Sequence, residues 1–304
     1  MVFQDLRITR GGREALHAFK SSLKNYTSHL TKNSVFIFTC GKRPDNGNTN
    51  RERLMKYASE HLKEFRFFKA EKIFKVIGEE EGRDWLTIEK QLADYSDCII
   101  IVLGSESTFS ELGAFMLEDG IAKNVLVIND IEHKNSDSFI NLGPLKKLDK
   151  KSNFKPVIYT KYKNFSKCFG VVEERIQSLK RERNKRVDLK KYSAFEALQA
   201  KDRLLFVLDL IAILSPVKQR EVLEMLKFIY GEEESYDDIY TSIPLLLALD
   251  LVKKEEGYLI RTLNESRFYY SFIGIDINVI RSAILNNYFK NSRERFELLK
   301  SRLK

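Results

Sequence analysis

The feature that most constrains the fold is an uninterrupted apolar run, Cys98–Val102, followed by a short turn and a helical pattern. Ile and Val dominate this run, which is typical of a strand buried on both faces of a parallel sheet. Gly104 and Ser105 can form a tight turn, and a helix is predicted over residues 109–122. Because ligands of open α/β sheets bind where strands end and helices begin, this junction is the predicted site.

Strand and helix patterns alternate through the first 180 residues. Strands are predicted at 34–39, in one or both of the segments 65–69 and 71–78, at 98–102, at 124–130 and at 155–160. Helices are predicted at 12–30, 50–64, 85–95, 109–122 and 164–180. The alternation predicts an α/β domain over residues 1–180, with a parallel, Rossmann-like sheet and helices on both faces.

The composition changes at the basic run KRERNKR, residues 180–186, which has no apolar face and marks the predicted domain boundary. Three apolar helical segments follow, and then two short strands around Glu256-Gly257, a pattern that indicates a hairpin. This order predicts a mainly helical, winged-helix-like domain over residues 181–304, which would bind nucleic acid or protein.

Composition and charge narrow the class of protein. Of the 304 residues 43% are hydrophobic, which supports packed cores, and the net charge of +9 suits a polyanionic partner without requiring one. Cys40, Cys98 and Cys168 lie far apart, mostly in apolar runs, which favours buried free thiols in a reducing compartment. The four histidines lack ligand spacing, so no metal site is predicted. No secretory signal or membrane-length apolar segment is found, so a cytoplasmic protein without membrane association is expected.

Two carboxylates stand at the predicted strand-to-helix junction, Glu106 in the loop and Glu111 in the first helical turn. Such a pair could break a glycosidic bond, with Glu111 stabilising or attacking a cationic sugar carbon and Glu106 protonating the leaving base. The alternative for Glu111 is structural, because Thr108 and Glu111 also have the spacing of a capping box. The alternative for Glu106 is a solvated loop acid.

Polar residues of two loops complete the expected substrate site. The connection after the first strand could hold a sugar hydroxyl or a phosphate at the start of the next helix, or could simply be solvated. Its candidates are Gly41, Lys42, Arg43, Asp45 and Asn46. The candidates beside the two carboxylates are Ser105, Ser107 and Thr108. Neither a GxGxxG fingerprint nor a Walker loop occurs there.

The stretch Tyr95–Ala114 resembles the signature of the nucleoside 2-deoxyribosyltransferase family. In that family an Asp-led apolar strand is followed by a Gly/Ser loop and by Glu-x-Gly at the helix start. Asp97 matches the leading acid, and Glu111-Leu112-Gly113 matches the segment that carries the family's nucleophile. The resemblance implies that Glu106 stands near the leaving base, as a Glu where the family has Asp, and that Asp84 is a further acid of the site.

The combination of such a domain with a winged helix resembles the effector proteins of bacterial retron antiphage systems. The resemblance implies a toxic effector that is held by a reverse transcriptase and its branched RNA–DNA product, in an assembly that can be of higher order. It also implies N-glycosidic cleavage of a nucleotide. NAD is the leading candidate, since its nicotinamide leaves as a neutral base from a cationic ring. NAD would then be a substrate, and no cofactor is expected.

Two functions of different classes follow: an N-glycosidase, or a non-enzymatic regulator whose first domain senses a nucleotide and whose second binds nucleic acid. Lys253, Lys254 and Arg261 of the predicted hairpin are the candidate contacts to phosphates. The third apolar helix carries few polar side chains, so sequence-specific base readout is not expected.

Overall fold

A computed structural model describes residues 6–7, 9–26, 28–31, 34–43, 48–77, 84–181, 186–187, 194–262 and 268–300. The chain divides into two compact units, Ser34–Glu182 and Met1–Asn33 together with Arg183–Lys304. The first unit is α/β and the second is mainly helical, as the sequence predicts.

The strands are, in chain order, β1 (Ser28–Leu30), β2 (Val35–Cys40), β3 (Phe65–Phe68), β4 (Cys98–Val102), β5 (Val125–Asp130), β6 (Ile158–Thr160), β7 (Arg186–Val187), β8 (Val252–Glu255), β9 (Tyr258–Arg261) and β10 (Tyr270–Ser271). The α-helices are α1 (Arg10–Asn25), α2 (Asn50–His61), α3 (Ala70–Ile77), α4 (Trp85–Asp94), α5 (Glu106–Leu117), α6 (Asp119–Ala122), α7 (Lys146–Lys151), α8 (Phe169–Gln177), α9 (Ala200–Leu214), α10 (Gln219–Tyr230), α11 (Ile239–Ala248), α12 (Ile277–Asn291) and α13 (Arg293–Lys300). Short 3₁₀ or π-helical turns cover Ile131–His133, Asn141–Leu145, Tyr162–Cys168, Ser178–Arg181 and Phe195–Ala197.

The α/β unit is built on a parallel sheet with strand order β3-β2-β4-β5-β6. β4 occupies the predicted residues, and all five are buried. On one face of the sheet, Ile100 belongs to a core shared with Leu54 of α2 and Val172 of α8. On the other face, Phe38 of β2 meets Phe115 of α5, with ring centroids 6.4 Å apart. The predicted parallel sheet with helices on both faces is therefore confirmed.

The strand order creates a topological switch point between β2 and β4. The chain passes from β2 to its neighbour β3 on one side and then crosses to β4 on the other side. The loops that leave the carboxyl ends of β2 and β4 consequently run in opposite directions and leave a crevice between them, where open α/β sheets bind ligands.

The opening helix, α1, belongs to the helical unit, whereas the predicted α/β domain begins at residue 1 and includes this helix. α1 ends at Asn25, and the following residues form β1, which pairs with β7 and β10. Lys20 Nζ donates to the carbonyl of Phe228, and Ser22 Oγ donates to that of Ile273, both at 2.6 Å. The α/β unit therefore begins at Ser34, whereas the change of unit at residues 182–183 falls within the predicted basic boundary.

The C-terminal elements follow the predicted order of three helices, α9 to α11, and a hairpin, β8–β9. Glu256 and Gly257 have φ angles of 49° and 81°, the positive values that a tight two-residue hairpin turn requires. Val217, between α9 and α10, forms a bridge with Leu259 of the hairpin. The hairpin is thus packed against the segment that joins the first two helices.

Two local predictions are corrected. Of the two segments offered as the second strand, only Phe65–Phe68 is a strand, and Ala70–Ile77 is helix α3. α5 begins at Glu106, three residues earlier than predicted, with Ser105 as its N-cap. The three cysteines are free and buried, as expected.

We predict that Gly41→Ala destabilises the α/β unit. A Cβ at this position would lie 2.7 Å from Cβ of Arg51 in α2, and overpacking of this kind costs about 1–3 kcal/mol. The free energy of unfolding should fall by about that amount. Trp85, the one tryptophan of the chain, lies in this unit, so its fluorescence in urea titrations follows the unit directly.

The matched control is Gly113→Ala within α5, where an added Cβ meets no atom within 4 Å. Replacing a helical glycine by alanine without a clash should raise the free energy of unfolding by about 0.5–1 kcal/mol. An equal loss of unfolding free energy in the two variants would contradict the close contact at Gly41.

Candidate functional site

A cavity of about 560 Å³ opens beside the carboxyl end of β2, on one side of the switch point. Its walls come from the end of β2, the loop that follows it, and helices α2, α3, α4 and α5. The volume lies within the range of about 300–1,000 Å³ that small-molecule sites usually have.

Two glutamates of this cavity, Glu89 of α4 and Glu111 of α5, hold their protons unusually strongly. Burial raises the pKa of Glu111 to about 8; the charge of Glu89 adds to the effect, while a hydrogen bond with Cys40 and the charge of Arg51 oppose it. Burial also raises the pKa of Glu89 to about 7, with a further contribution from Glu71. Carboxyl groups with raised pKa values in one cleft are a frequent property of catalytic sites.

Glu71, a third glutamate of the cavity, is paired instead. Its Oε1 lies 2.7 Å from Nη2 of Arg51, whose side chain is only 4% exposed. Burial alone would raise the pKa of Glu71, but the hydrogen bond from Arg51 and the charges of Arg51 and Arg43 outweigh it and lower the pKa. Glu71 therefore serves as the anion that holds Arg51 in the cavity wall.

Glu111 does not cap its own helix. Thr108 has that role, since its hydroxyl accepts the backbone N–H of Ser105 at 3.1 Å. Glu111 lies in the second turn of α5, and its Oε2 is buried without a hydrogen-bond partner among the described residues. The structural alternative for Glu111 is therefore wrong, and one oxygen of a cavity-lining carboxyl group is left without a protein donor.

Glu106, the predicted acid, lies outside the cavity. Since α5 begins at Glu106, this residue is exposed at the helix start and is not among the lining residues. Its backbone carbonyl accepts a hydrogen bond from Ser110 Oγ at 3.1 Å. The carboxyl group that accompanies Glu111 in the cavity is that of Glu89.

The predicted substrate contacts divide into three groups. Those that line the cavity are Gly41, Lys42, Arg43, Ser105 and Ser107. The guanidinium of Arg43 lies 4.8 Å from the ring centroid of Trp85, so the cavity rim combines a cation with an aromatic face. Asp45 and Asn46 lie outside the described residues.

Asp84 and Thr108 are structural. Asp84 caps α4: its Oδ1 accepts the backbone N–H of Thr87 at 2.8 Å and its Oδ2 accepts the Thr87 hydroxyl at 2.7 Å, which lowers the pKa of Asp84. The Thr108 hydroxyl is buried and accepts the N–H groups of Gly104 and Ser105. Neither residue lines the cavity.

Sequence reasoning missed Glu89. The predicted helix over residues 85–95 places Trp85, Glu89 and Leu92 along one stripe, and Leu92 is fully buried. An acidic residue on an otherwise apolar stripe was the available signal, although Trp85 of this stripe is 54% exposed. It became interpretable only when the sheet order placed this helix beside the end of β2.

The candidate nucleic-acid contacts differ in how exposed their side chains are. Lys253 and Lys254 are exposed on β8, and Lys253 Nζ lies 2.5 Å from Oε1 of Glu255. The Arg261 side chain is only 10% exposed and lies 3.8 Å from the buried Asp209, so it is less accessible than the two lysines, and its role as a phosphate contact stays a prediction. Most residues of α11 are buried, in keeping with the expectation that this helix does not read bases.

Two kinds of feature are absent from the described residues. No helix there is both long and apolar enough to span a bilayer. No group of three or more His, Cys, Asp or Glu side chains in the described ranges is arranged to hold a metal ion, including the three glutamates of the cavity.

Retron effectors are the class to which this chain belongs, because it matches the STM3845 retron effector protein family over residues 47–254, more than half of its length. A relative from Escherichia coli, named "Retron Ec73 putative ribosyltransferase/DNA-binding protein", is 28% identical over 303 residues, covering 90% of this chain and 93% of the relative. The correspondingly named protein of retron Ec86, also from Escherichia coli, is 31% identical over 139 residues, 43% of this chain and 45% of the relative. The predicted resemblance to retron effectors is thereby confirmed, whereas that to nucleoside deoxyribosyltransferases stays a prediction.

The raised carboxyl pKa values predict a loss of stability as pH rises. Unfolded glutamates release their protons near pH 4.5, whereas Glu89 and Glu111 keep theirs to about pH 7 and 8 in the folded chain. The folded state therefore binds more protons in this interval, and the free energy of unfolding falls between about pH 4.5 and 8, by at most about 1.4 kcal/mol per pKa unit and group. Urea titrations of Trp85 fluorescence at a series of pH values measure the fall.

Glu111→Gln should flatten this pH profile, because the amide cannot titrate. Glu106→Gln is the matched control, and it should keep the profile of the parent protein because Glu106 is exposed outside the cavity. If the parent and Glu111→Gln show the same slope above pH 5, burial does not hold the proton on Glu111.

Proposed function

We propose that this retron effector is an N-glycosidase that cleaves the base–ribose bond of a nucleotide, with NAD as the leading substrate. The observation that carries the proposal is the pairing of Glu89 and Glu111 in one cavity at the switch point, both with raised pKa values. The ribosyltransferase names of the two relatives support glycosyl-transfer chemistry. The resemblance of Tyr95–Ala114 to the nucleoside 2-deoxyribosyltransferases supports Glu111 as the central residue.

In the proposed reaction, Glu111 faces the anomeric carbon of the ribose. The C1′–N bond breaks with both electrons going to the ring nitrogen, so nicotinamide leaves neutral and C1′ becomes electron-poor. The ionised Glu111 carboxylate stabilises this centre or bonds to it. A water molecule then adds to C1′ and gives its proton to Glu89. Another hydroxyl or base in place of water would turn hydrolysis into transfer.

The protonation state of Glu111 favours a cationic substrate. Burial raises the pKa of Glu111 to about 8 and so favours its protonated form at neutral pH. The positive charge of a nicotinamide ring beside the carboxyl group would favour the ionised form, whereas an uncharged nucleoside would not. This difference supports NAD over neutral nucleosides.

The helical unit is the proposed nucleic-acid-binding part, as a winged helix whose hairpin meets the phosphate backbone. The DNA-binding names of the relatives and the exposed Lys253 and Lys254 support this role. Since most of α11 is buried, contacts to phosphates rather than to base edges are proposed. Membership of the retron effector family supports the reverse transcriptase and its branched RNA–DNA product as the partners.

Substitution of the two cavity carboxyl groups tests the enzymatic proposal. Glu111→Gln should lower the rate of nicotinamide release from NAD by at least about 100-fold, because the charge opposite C1′ is lost. Glu89→Gln should lower it by about 10²–10⁴-fold, the usual contribution of a proton-transfer group. Chromatography of the free base measures both, with and without bound nucleic acid.

Glu106→Gln is again the matched control, and its rate should stay within about threefold of the parent rate, since Glu106 lies outside the cavity. If Glu111→Gln releases base as fast as the parent protein, the catalytic assignment is wrong. Binding of nucleotides without any base release would favour the non-enzymatic regulator.

Charge reversal on the hairpin tests the nucleic-acid proposal. The double variant Lys253→Glu/Lys254→Glu should weaken binding to duplex DNA and reduce the slope of log K against log salt by about 0.9 per lost phosphate contact. Lys150→Glu, an exposed change in the α/β unit, is the control. An unchanged slope in the double variant would favour a protein-docking role for the hairpin.

A further inference from the structure

One face of helix α1 carries a row of basic side chains, three or four residues apart, which this spacing places on one stripe of the helix. This basic row consists of Arg13, His17, Lys20 and Lys24. Lys20 is half-buried, and the other three are exposed. Glu14 is the single acid of α1, and it lies to one side of the row, where it pairs with Arg10 at 2.9 Å. The row is therefore a strip of positive charge on the surface of the helical unit.

The basic row lacks acidic partners among the described residues. Arg13 and Lys24 form no ion pair in this part of the chain. Lys20 Nζ donates to the carbonyl of Phe228, at 2.6 Å, rather than to a carboxylate. Burial lowers the pKa of Lys20, and the charges of Lys24 and Arg7 lower it further. The positive charges therefore repel one another, and a polyanion bound along the row would relieve this repulsion.

Phe228 of α10 contacts the basic row through its ring. Lys20 Nζ lies 5.0 Å from the ring centroid, Arg7 Cζ lies 5.7 Å from it, and the ring of His17 meets it edge-on with centroids 5.5 Å apart. Three side chains thus lie against this ring, whereas proteins that bind single strands offer open aromatic faces on which bases stack. The row is therefore better suited to the phosphates of a duplex.

The basic row is separate from the β8–β9 hairpin. α10 begins beside the hairpin, where Lys218 Nζ lies 5.3 Å from the ring centroid of Tyr258, and it meets α1 near its other end, at Phe228. The step from residue 218 to residue 228 corresponds to about 15 Å along a helix. The row and the hairpin can therefore contact different phosphates.

We infer that the basic row of α1 is a second DNA-binding surface of the helical unit, which contacts the phosphate backbone of a duplex. From Arg13 to Lys24 the row extends over about 16 Å, a length that spans about five phosphates of one DNA strand. The inference goes beyond the proposed function, in which the hairpin alone meets the phosphate backbone. It implies that the helical unit holds a duplex at two separate places.

Removal of two charges from the row tests the inference. The double variant Arg13→Gln/Lys24→Gln keeps side chains of similar helix propensity, and neither residue has an ion pair to lose among the described residues, so α1 should stay folded. With a labelled DNA duplex, the slope of log K against log salt should fall by about 0.9 for each lost phosphate contact. An unchanged slope would overturn the inference.

The matched control is Lys146→Gln/Lys150→Gln, the same loss of charge from two exposed lysines of α7. This variant should keep the slope of the parent protein, because the effect expected at α1 comes from direct contacts and not from net charge. An equal fall of the slope in both double variants would overturn the inference.

Chemical modification of the parent protein provides a second measurement that needs no variant. Lys24 is exposed, so a saturating amount of the duplex should slow its acetylation severalfold. Lys150, exposed in the α/β unit, should react at the same rate with and without DNA. Mass spectrometry of the modified peptides measures both rates. Equal acetylation of Lys24 with and without the duplex would overturn the inference.

The salt slopes also separate this inference from the proposed role of the hairpin. If Lys253→Glu/Lys254→Glu leaves the slope unchanged while the α1 variant lowers it, the role of the hairpin fails and the inference stands. The reverse result overturns the inference alone. If the parent protein shows no salt-dependent binding to the duplex, both are overturned.

Discussion

Burial of both faces of β4 is the constraint on which the α/β unit depends. A strand of five apolar residues can satisfy its backbone only within a sheet, and it can hide its side chains only beneath helices on both sides. Parallel neighbours and crossover helices follow, and with them an edge where the strands end together. The cavity of the candidate site lies along this edge, beside the end of β2.

At this edge of the sheet one glutamate is paired with a cationic side chain and two are not. Arg51 reaches Glu71 from α2 and satisfies it, while Glu89 and Glu111 remain partly buried without a salt bridge of their own in the described part of the chain. Burial of such carboxyl groups lowers the stability of the folded state at neutral pH, a cost that proteins usually tolerate only where function requires it. The same burial makes their charge responsive to a cation placed beside them.

The sequence predicted the elements whose patterns are local: β4, the β8–β9 hairpin and the alternation of strands and helices. The sequence predicted less well those features that depend on a tertiary contact. α5 starts at Glu106 because the Thr108 side chain bonds back to Ser105, whereas the capping pattern of Thr108 and Glu111 predicts a later start. Glu106 is therefore the first residue of the helix, and it lies outside the cavity. Glu89 could not be placed because its role depends on strand order, which no single helix reveals. Arg261 was assigned to the surface because its partner Asp209 is distant in the sequence.

The helical unit is assembled from two separated parts of the chain, and this has a consequence for synthesis. α1 and β1 emerge from the ribosome first, yet the residues that they pair with, Phe228, Ile273 and strand β10, are translated only after the whole of Ser34–Glu182. Domains generally fold as units in the order in which they are made. The α/β unit can therefore be fully folded before the C-terminal part of the helical unit has been synthesised. Any control that the helical unit exerts on the cavity can begin only after the cavity has formed.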